Sequence, residues 1–290
     1  FKMKKSTLFL VLLAFSFAAK AQVNEAISNH KLVIYQLLPR YFGNTNATNK
    51  LYGSKEENGV GKFNDITPKA LQELKKLGVN YVWYTGVVEH ATMTDYSAYG
   101  IKQDDPDIVK GKAGSPYAIK DYYDVDPDLA VDVKNRMEEY QNLINRTHAE
   151  GLKMIMDFIP NHVARTYQSD AKPAGVIDFG AQDDKTKAYS PQNDYYYIPG
   201  KNFIVPAGTD AGGAQFSHPL KDGKFDENPA KVTGNNVFSE KPSIDDWYET
   251  MKLNYGYDLQ NGKNYLDPVP PVWIKMRDIL VFWANKGVDG

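Results

Sequence analysis

Three stretches of the chain carry the same alternation: an apolar stripe at helical spacing, a glycine, then a short run of apolar residues. In the first, Ala70, Leu71, Leu74 and Leu77 follow Thr67-Pro68, a threonine placed to cap a helix and a proline suited to its first position, and Gly78 ends the stripe. Residues 79–84 come next, β-branched and aromatic, and read as a strand. In the second, Val133, Met137, Tyr140 and Ile144 share a helix face, Gly151 stops it, and residues 152–158 are apolar enough for a buried strand. The third starts with Trp273, Met276, Leu280 and Trp283 and runs into Gly287-Val288. Residues 32–38 precede all three as a first strand. Helix, glycine and buried strand in repetition predict βα units feeding a parallel sheet.

Gly78, Gly151 and Gly287 are spaced far more widely than the roughly 30 residues a plain βα unit needs. Long insertions therefore follow the second and third strands, at the carboxyl ends where barrels and open sheets build their sites. The later insertion, about residues 163–247, is rich in Gly, Pro, Asp, Asn and Tyr and is too long for a loop, so it predicts a small irregular subdomain. Gly290 falls one or two residues into the expected fourth strand. A complete eight-stranded barrel takes about 250 residues without insertions, and the pattern reads as the amino-terminal part of a larger enzyme.

Met3-Lys4-Lys5 gives a positive start, residues 8–19 are apolar and uncharged, and Ala19-Lys20-Ala21 is a small-residue cleavage pattern. Residues 1–21 thus read as a secretory signal peptide cut before Gln22, its apolar core too short for a membrane anchor of about twenty residues. The expectation is a periplasmic or secreted protein with no membrane attachment after cleavage. Composition adds exclusions. A net charge of −2 gives no electrostatic footprint for nucleic acid, and the absence of cysteine removes disulfides, thiolate catalysis and cysteine-held metals. The five histidines form no HExxH or close pair, which argues against zinc.

The third strand leads into Asp157-Phe158-Ile159-Pro160-Asn161-His162, a polar cluster where a buried strand exits. Taken alone it allows two readings. Asp157 caps a turn, Asn161 satisfies loop backbone and His162 is a hydrogen-bonded core histidine, or the three contact a substrate.

These six residues resemble the D-x-x-x-N-H motif of the α-amylase family of glycoside hydrolases (glycoside hydrolase family 13). Residues 116–127 (PYAIKDYYDVDP) are similar to its G-Y-D-x-x-D-Y-x-x-V-D-P segment, residues 34–42 (IYQLLPRYF) to its first strand and turn, and residues 287–290 (GVDG) to the start of G-[VF]-D-G-F-R-x-D. The resemblance implies an α/β fold, the amino-terminal part of a (β/α)8 TIM barrel with a long domain B insertion after strand 3, truncated before strand 4. It divides the mature chain into residues 22–162 for the first three βα units, 163–265 for domain B and 266–290 for the third helix and the start of strand 4. It implies a retaining glycoside hydrolase acting on α-1,4-linked glucans such as starch, maltooligosaccharide, pullulan or cyclodextrin. An α-glucan is the partner, and no organic cofactor is called for. A non-catalytic glucan-binding protein on the same fold and a family transglycosylase are the alternatives.

By the same resemblance, His162 hydrogen-bonds hydroxyls of the glucosyl unit at the cleaved bond, Tyr117 stacks on that ring, and Asp157 orders the strand end beside the substrate. Asn161 is a potential calcium ligand, an oxygen donor suited to that cation. Pro116 and Ala118 depart from the family's Gly and Asp around the tyrosine. Residues 247–254 (WYETMKLN) end domain B, and Lys252 and Asn254 place them nearest the M-P-K-L-N form of neopullulanases and cyclomaltodextrinases. Calcium-dependent members carry Asp at the place of Lys252, and an ammonium there competes with a divalent cation. The nucleophilic Asp and the acid/base Glu of the family fall beyond Gly290, so no catalytic carboxylate is assigned within these residues. The 290 residues alone are expected to be inactive on starch, pullulan or cyclodextrins.

Overall fold

A computed structural model describes residues 31–290; the expected signal peptide lies outside the described residues. Strands β1 (Ile34–Leu37) and β2 (Tyr81–Tyr84) are joined through helix α1 (Pro68–Lys76). A hairpin of β3 (Val88–His90) and β4 (Ile119–Val125) leaves the carboxyl end of β2 before helix α2 (Arg136–Ala149) and strand β5 (Lys153–Met156). β1, β2 and β5 form one parallel sheet in that order, with Ile34 opposite Tyr81 and Tyr81 opposite Lys153. The expected strands are present, each shorter than its apolar run.

Thr67 caps α1 as expected, its hydroxyl accepting from the Ala70 N–H, and Gly78 turns the chain with φ 87°. Leu71 and Leu74 of α1 and Tyr140, Leu143 and Ile144 of α2 are buried against the sheet. Each of the leucines and Ile144 contributes roughly 1.5–3 kcal/mol by leaving water. Helix α3 (Pro271–Asn285) follows the second insertion and buries Val272, Met276, Ile279 and Trp283. Trp273 and Leu280, expected on the packed face, are half exposed. α3 is apolar on most sides, so the periodicity locates the helix without selecting the stripe that packs. Past it, Asp289 N–H donates to Met154 O (3.2 Å) and Met156 N–H to Gly290 O (2.9 Å), which begins a further rung along β5.

The second insertion is built from short antiparallel pairs: β6 (His162–Ala164) with β9 (Thr250–Lys252), and β7 (Tyr197–Ile198) with β8 (Ala230–Lys231). A buried ion pair holds it, Arg165 to Glu227 at 2.5 Å, with the guanidinium 3.9 Å from the Phe203 ring centre. Such a pair is costly to desolvate and is compensated here by further hydrogen bonds to the carbonyls of Tyr248 and Lys231. Among the described residues, no helix is long and apolar enough to cross a membrane.

Candidate active site

Tyr117 stands on the turn that enters β4, where Tyr117 N–H donates to Ser115 Oγ (3.3 Å) and Ala118 N–H to Ser115 O (2.9 Å). Gly114 makes this turn possible: its φ is 73°, and a β-carbon there would lie 1.7 Å from Ala91 O. The Tyr117 ring is left 49% exposed.

His162 opens β6, opposite Lys252 of β9 in the antiparallel register. Its buried ring sits beside Gly234, where a β-carbon would come within 3.0 Å of His162 Cβ. Asn161 Nδ2 donates to His162 Nδ1 (2.9 Å) and to Gly234 O (2.9 Å), while Lys252 Nζ donates to Asn161 Oδ1. Burial, helped by the nearby Lys252 ammonium, pushes the His162 pKa down to about 4, with the Tyr117 carbonyl opposing slightly. At neutral pH the ring is uncharged.

Tyr117 and His162 line one cavity of about 290 Å³, together with Lys110, Ser115, Trp247, Glu249 and Thr250. The Trp247 ring is 5.2 Å from the His162 ring and 44% exposed. Glu249 is buried and 3.2 Å from Lys110 Nζ, with Oε2 lacking a hydrogen bond. A flat aromatic wall, an uncharged imidazole and a carboxylate–ammonium pair suit a polyhydroxylated ring with apolar faces.

The other expected residues are placed differently. Asp157, grouped with Tyr117 and His162 from sequence, does not line their cavity; it is half-buried past the end of β5, and burial raises its pKa. Asn254 is fully buried, its amide donating to Ser190 O (2.8 Å) and Asn193 O (2.9 Å) and accepting from Gly256 N–H (2.9 Å), so it orders the backbone of the second insertion and is closed to a ligand. Asn161 does not fit calcium, because its only side-chain oxygen already faces the Lys252 ammonium. No cluster of three or more His, Cys, Asp or Glu side chains able to hold a metal occurs among the described residues. Asp289 accepts from His148 Nε2 (2.8 Å) and Met154 N–H (3.0 Å), tying the end of the described chain to β5. Trp247, Lys110 and Glu249 were not singled out as site residues from sequence; the one available signal was the tryptophan at the head of the W-Y-E-T-M-K-L-N segment.

The model of the α-amylase catalytic domain matches residues 36–290, nearly the whole described chain. The chain belongs to the α-amylase family. Its similarity to individual members is distant: 24% identity over 264 residues to the trehalose-6-phosphate hydrolase of Bacillus subtilis, covering 90% of this chain and 34% of that protein. The oligo-1,6-glucosidase of Parageobacillus thermoglucosidasius is 26% identical over 259 residues, covering 89% and 33%. The amino acid transporter heavy chain SLC3A1 of Homo sapiens is 24% identical over 268 residues, covering 89% and 27%. This α-amylase-family chain thus spans about a third of the length of the curated relatives it matches. Among solved structures, the trehalulose synthase MutB of Pseudomonas mesoacidophila MX-45 aligns with a TM-score of 0.46 at 18% identity, covering 89% of this chain and 34% of that one. Family membership does not by itself select a substrate or a linkage.

Proposed function

We propose that the chain is the amino-terminal part of a secreted or periplasmic retaining glycosidase that cleaves α-1,4-linked glucans. The glucosyl unit at the cleaved bond lies between Tyr117 and His162. The observation that carries this reading is the single cavity formed by those two residues, which come from separate insertions at the carboxyl end of the sheet. The leader pattern of residues 3–21 supports export, and the K-L-N ending at Lys252 and Asn254 favours a neopullulanase-like member. Lys252 in contact with Asn161 supports catalysis without calcium at that position. Retention requires a carboxylate pair about 5 Å apart, and no such pair is assigned among residues 31–290.

In the cavity, Tyr117 stacks on the C–H face of the sugar, and the neutral His162 contributes a ring N–H to a hydroxyl. Both contacts tighten as the ring flattens toward the oxocarbenium-like transition state. The relatives include oligo-1,6-glucosidases, so α-1,6 cleavage is one competing reading; glucan binding without hydrolysis on the same fold is the other. Incubating the complete protein with maltotriose, pullulan, cyclodextrin and isomaltose, and following the anomer released by NMR, separates them. Cleavage of maltotriose with retention is expected. Cleavage of isomaltose alone supports the α-1,6 reading, and tight binding of maltotriose with no turnover supports the binding protein.

A further inference from the structure

The place of the Tyr117 ring is set by its backbone. Half of the ring is open to solvent, and the hydrogen bond the residue donates comes from its main-chain N–H, to Ser115 Oγ. Where the ring stands therefore depends on the turn of residues 113–118.

That turn is pinned from β3 and the three residues after it. At one end Ala91 N–H donates to Ala118 O (3.0 Å). At the other, Met93 N–H and Thr92 Oγ1 both donate to Lys112 O, at 3.0 Å each. Between these anchors a side chain takes over, with His90 Nε2 lying 3.0 Å from Ala113 O. A carbonyl only accepts, so Nε2 carries the proton and donates. Gly114 follows at once, so close that a β-carbon there would meet Ala91 O at 1.7 Å and His90 Cδ2 at 3.3 Å. The turn rests directly on the imidazole.

His90 is itself fixed. It is buried, and its Nδ1 faces Val88 O at 3.4 Å and Asp126 Oδ2 at 3.9 Å. Asp126 is buried too, with Arg40 Nη1 3.8 Å away. A buried ring whose nitrogens face oxygens of three separate segments is held in one orientation. The turn also reaches the opposite wall of the cavity, because the Tyr117 carbonyl faces the His162 ring.

We infer that His90 is a positioning residue for Tyr117: its imidazole holds the Ala113 carbonyl and so fixes where Tyr117 stands relative to His162 across the cavity. The inference rests on the reading of that cavity as the place of the cleaved sugar unit. A misplacement of about 1 Å at such a wall can cost as much as about a hundredfold.

The test is a double-mutant cycle of His90→Met and Tyr117→Ala in the complete protein, read by calorimetric titration with maltotriose. Trypsin cleavage of the Lys112–Ala113 bond is followed alongside by mass spectrometry. His90→Met keeps the bulk and loses the donor. It should weaken maltotriose roughly fivefold when Tyr117 is present and less than about twofold when it is alanine, since residues that act through one another are not additive. Cleavage after Lys112 should quicken by roughly tenfold as the turn is released. His90→Gln, whose amide can reach the same carbonyl, should restore both toward wild type. Should His90→Met not fold, His90→Leu is the second donor-free variant for the same cycle. A histidine that only filled the core would weaken binding equally in the two backgrounds; that result overturns the inference, as does unchanged cleavage after Lys112. Equal binding by wild type and Tyr117→Ala would instead remove the sugar from this cavity, and the trypsin cleavage would still decide whether His90 holds the turn.

Discussion

Lys252, Asn161 and His162 form a relay in which each side chain orients the next. An ammonium has donors only, so it turns the Asn161 carbonyl oxygen toward itself and the amide nitrogen toward His162 Nδ1. Nδ1 then accepts, and the proton of the neutral ring resides on Nε2. Lys252→Met removes the constraint on Asn161 and one cause of the lowered pKa, so the His162 pKa followed by NMR should rise from about 4 toward its usual 6.5. No movement would show that burial alone sets it. The same shift links to stability. Between about pH 4 and 6.5 the unfolded chain binds a proton that the folded chain does not. The His162 contribution is therefore fully present above about pH 6.5 and is lost as pH falls toward 4. Replacing His162 with Gln should flatten the acid-side fall in Tm over that window; an identical slope contradicts the assignment. The motif resemblance set the Lys252 ammonium beside Asn161, but the order of hydrogen bonds on to His162 was not legible in the sequence, because it depends on the β6–β9 pairing.

Strands β3 and β4 raise a different question. Glu89 is 1% exposed, faces Asp121 in the register, and neither of its oxygens has a hydrogen-bond partner. Burial, then Asp124 and Asp121, holds its carboxyl well above the usual carboxylate range against the pull of Lys120. Asp121 is satisfied by Ser169 Oγ (2.6 Å) and Ala171 N–H (3.0 Å), Asp124 by Arg136, and Lys120 pairs with Asp104 at 3.2 Å. A raised folded pKa means the Glu89 contribution is present at low pH and lost as pH rises through that value. Glu89→Gln keeps the shape and removes the ionisation, so its Tm relative to wild type should increase with pH. A constant difference would mean that Glu89 is already charged. At this scale the sequence was informative for the regular elements: the Thr67 cap, the stop at Gly78 and three parallel strands follow from period and punctuation. It misplaced part of the packed face of α3, where Trp273 and Leu280 are half exposed, and was silent on the pairings within the second insertion, where strands of two or three residues carry no period.

Over the whole molecule, apolar surface is distributed unevenly. Ile34 and Tyr35 on β1, and Trp273, Leu280 and Val281 on α3, are exposed, and among the described residues β1 pairs along one edge only. Produced alone, these residues should self-associate, since an open edge beside apolar surface templates further pairing. Sedimentation showing a stable monomer with a cooperative melt would contradict this. The cavity could not be anticipated from local pattern, because Lys110, Tyr117, His162, Trp247 and Glu249 converge only once both insertions fold over the sheet; Tyr117 and His162 were reached through motif resemblance, and their neighbours were missed. The central proposal, that this cavity holds the unit being cleaved, is tested most directly by the kinetics of His162→Ala in the complete protein. A preorganised donor at the reacting centre is worth roughly 3 kcal/mol, and each 1.36 kcal/mol is about a factor of ten. The variant should therefore lose about a hundredfold in kcat with a lesser change in KM; a raised KM with kcat intact would make His162 an ordinary binding contact and remove the cleaved bond from this cavity.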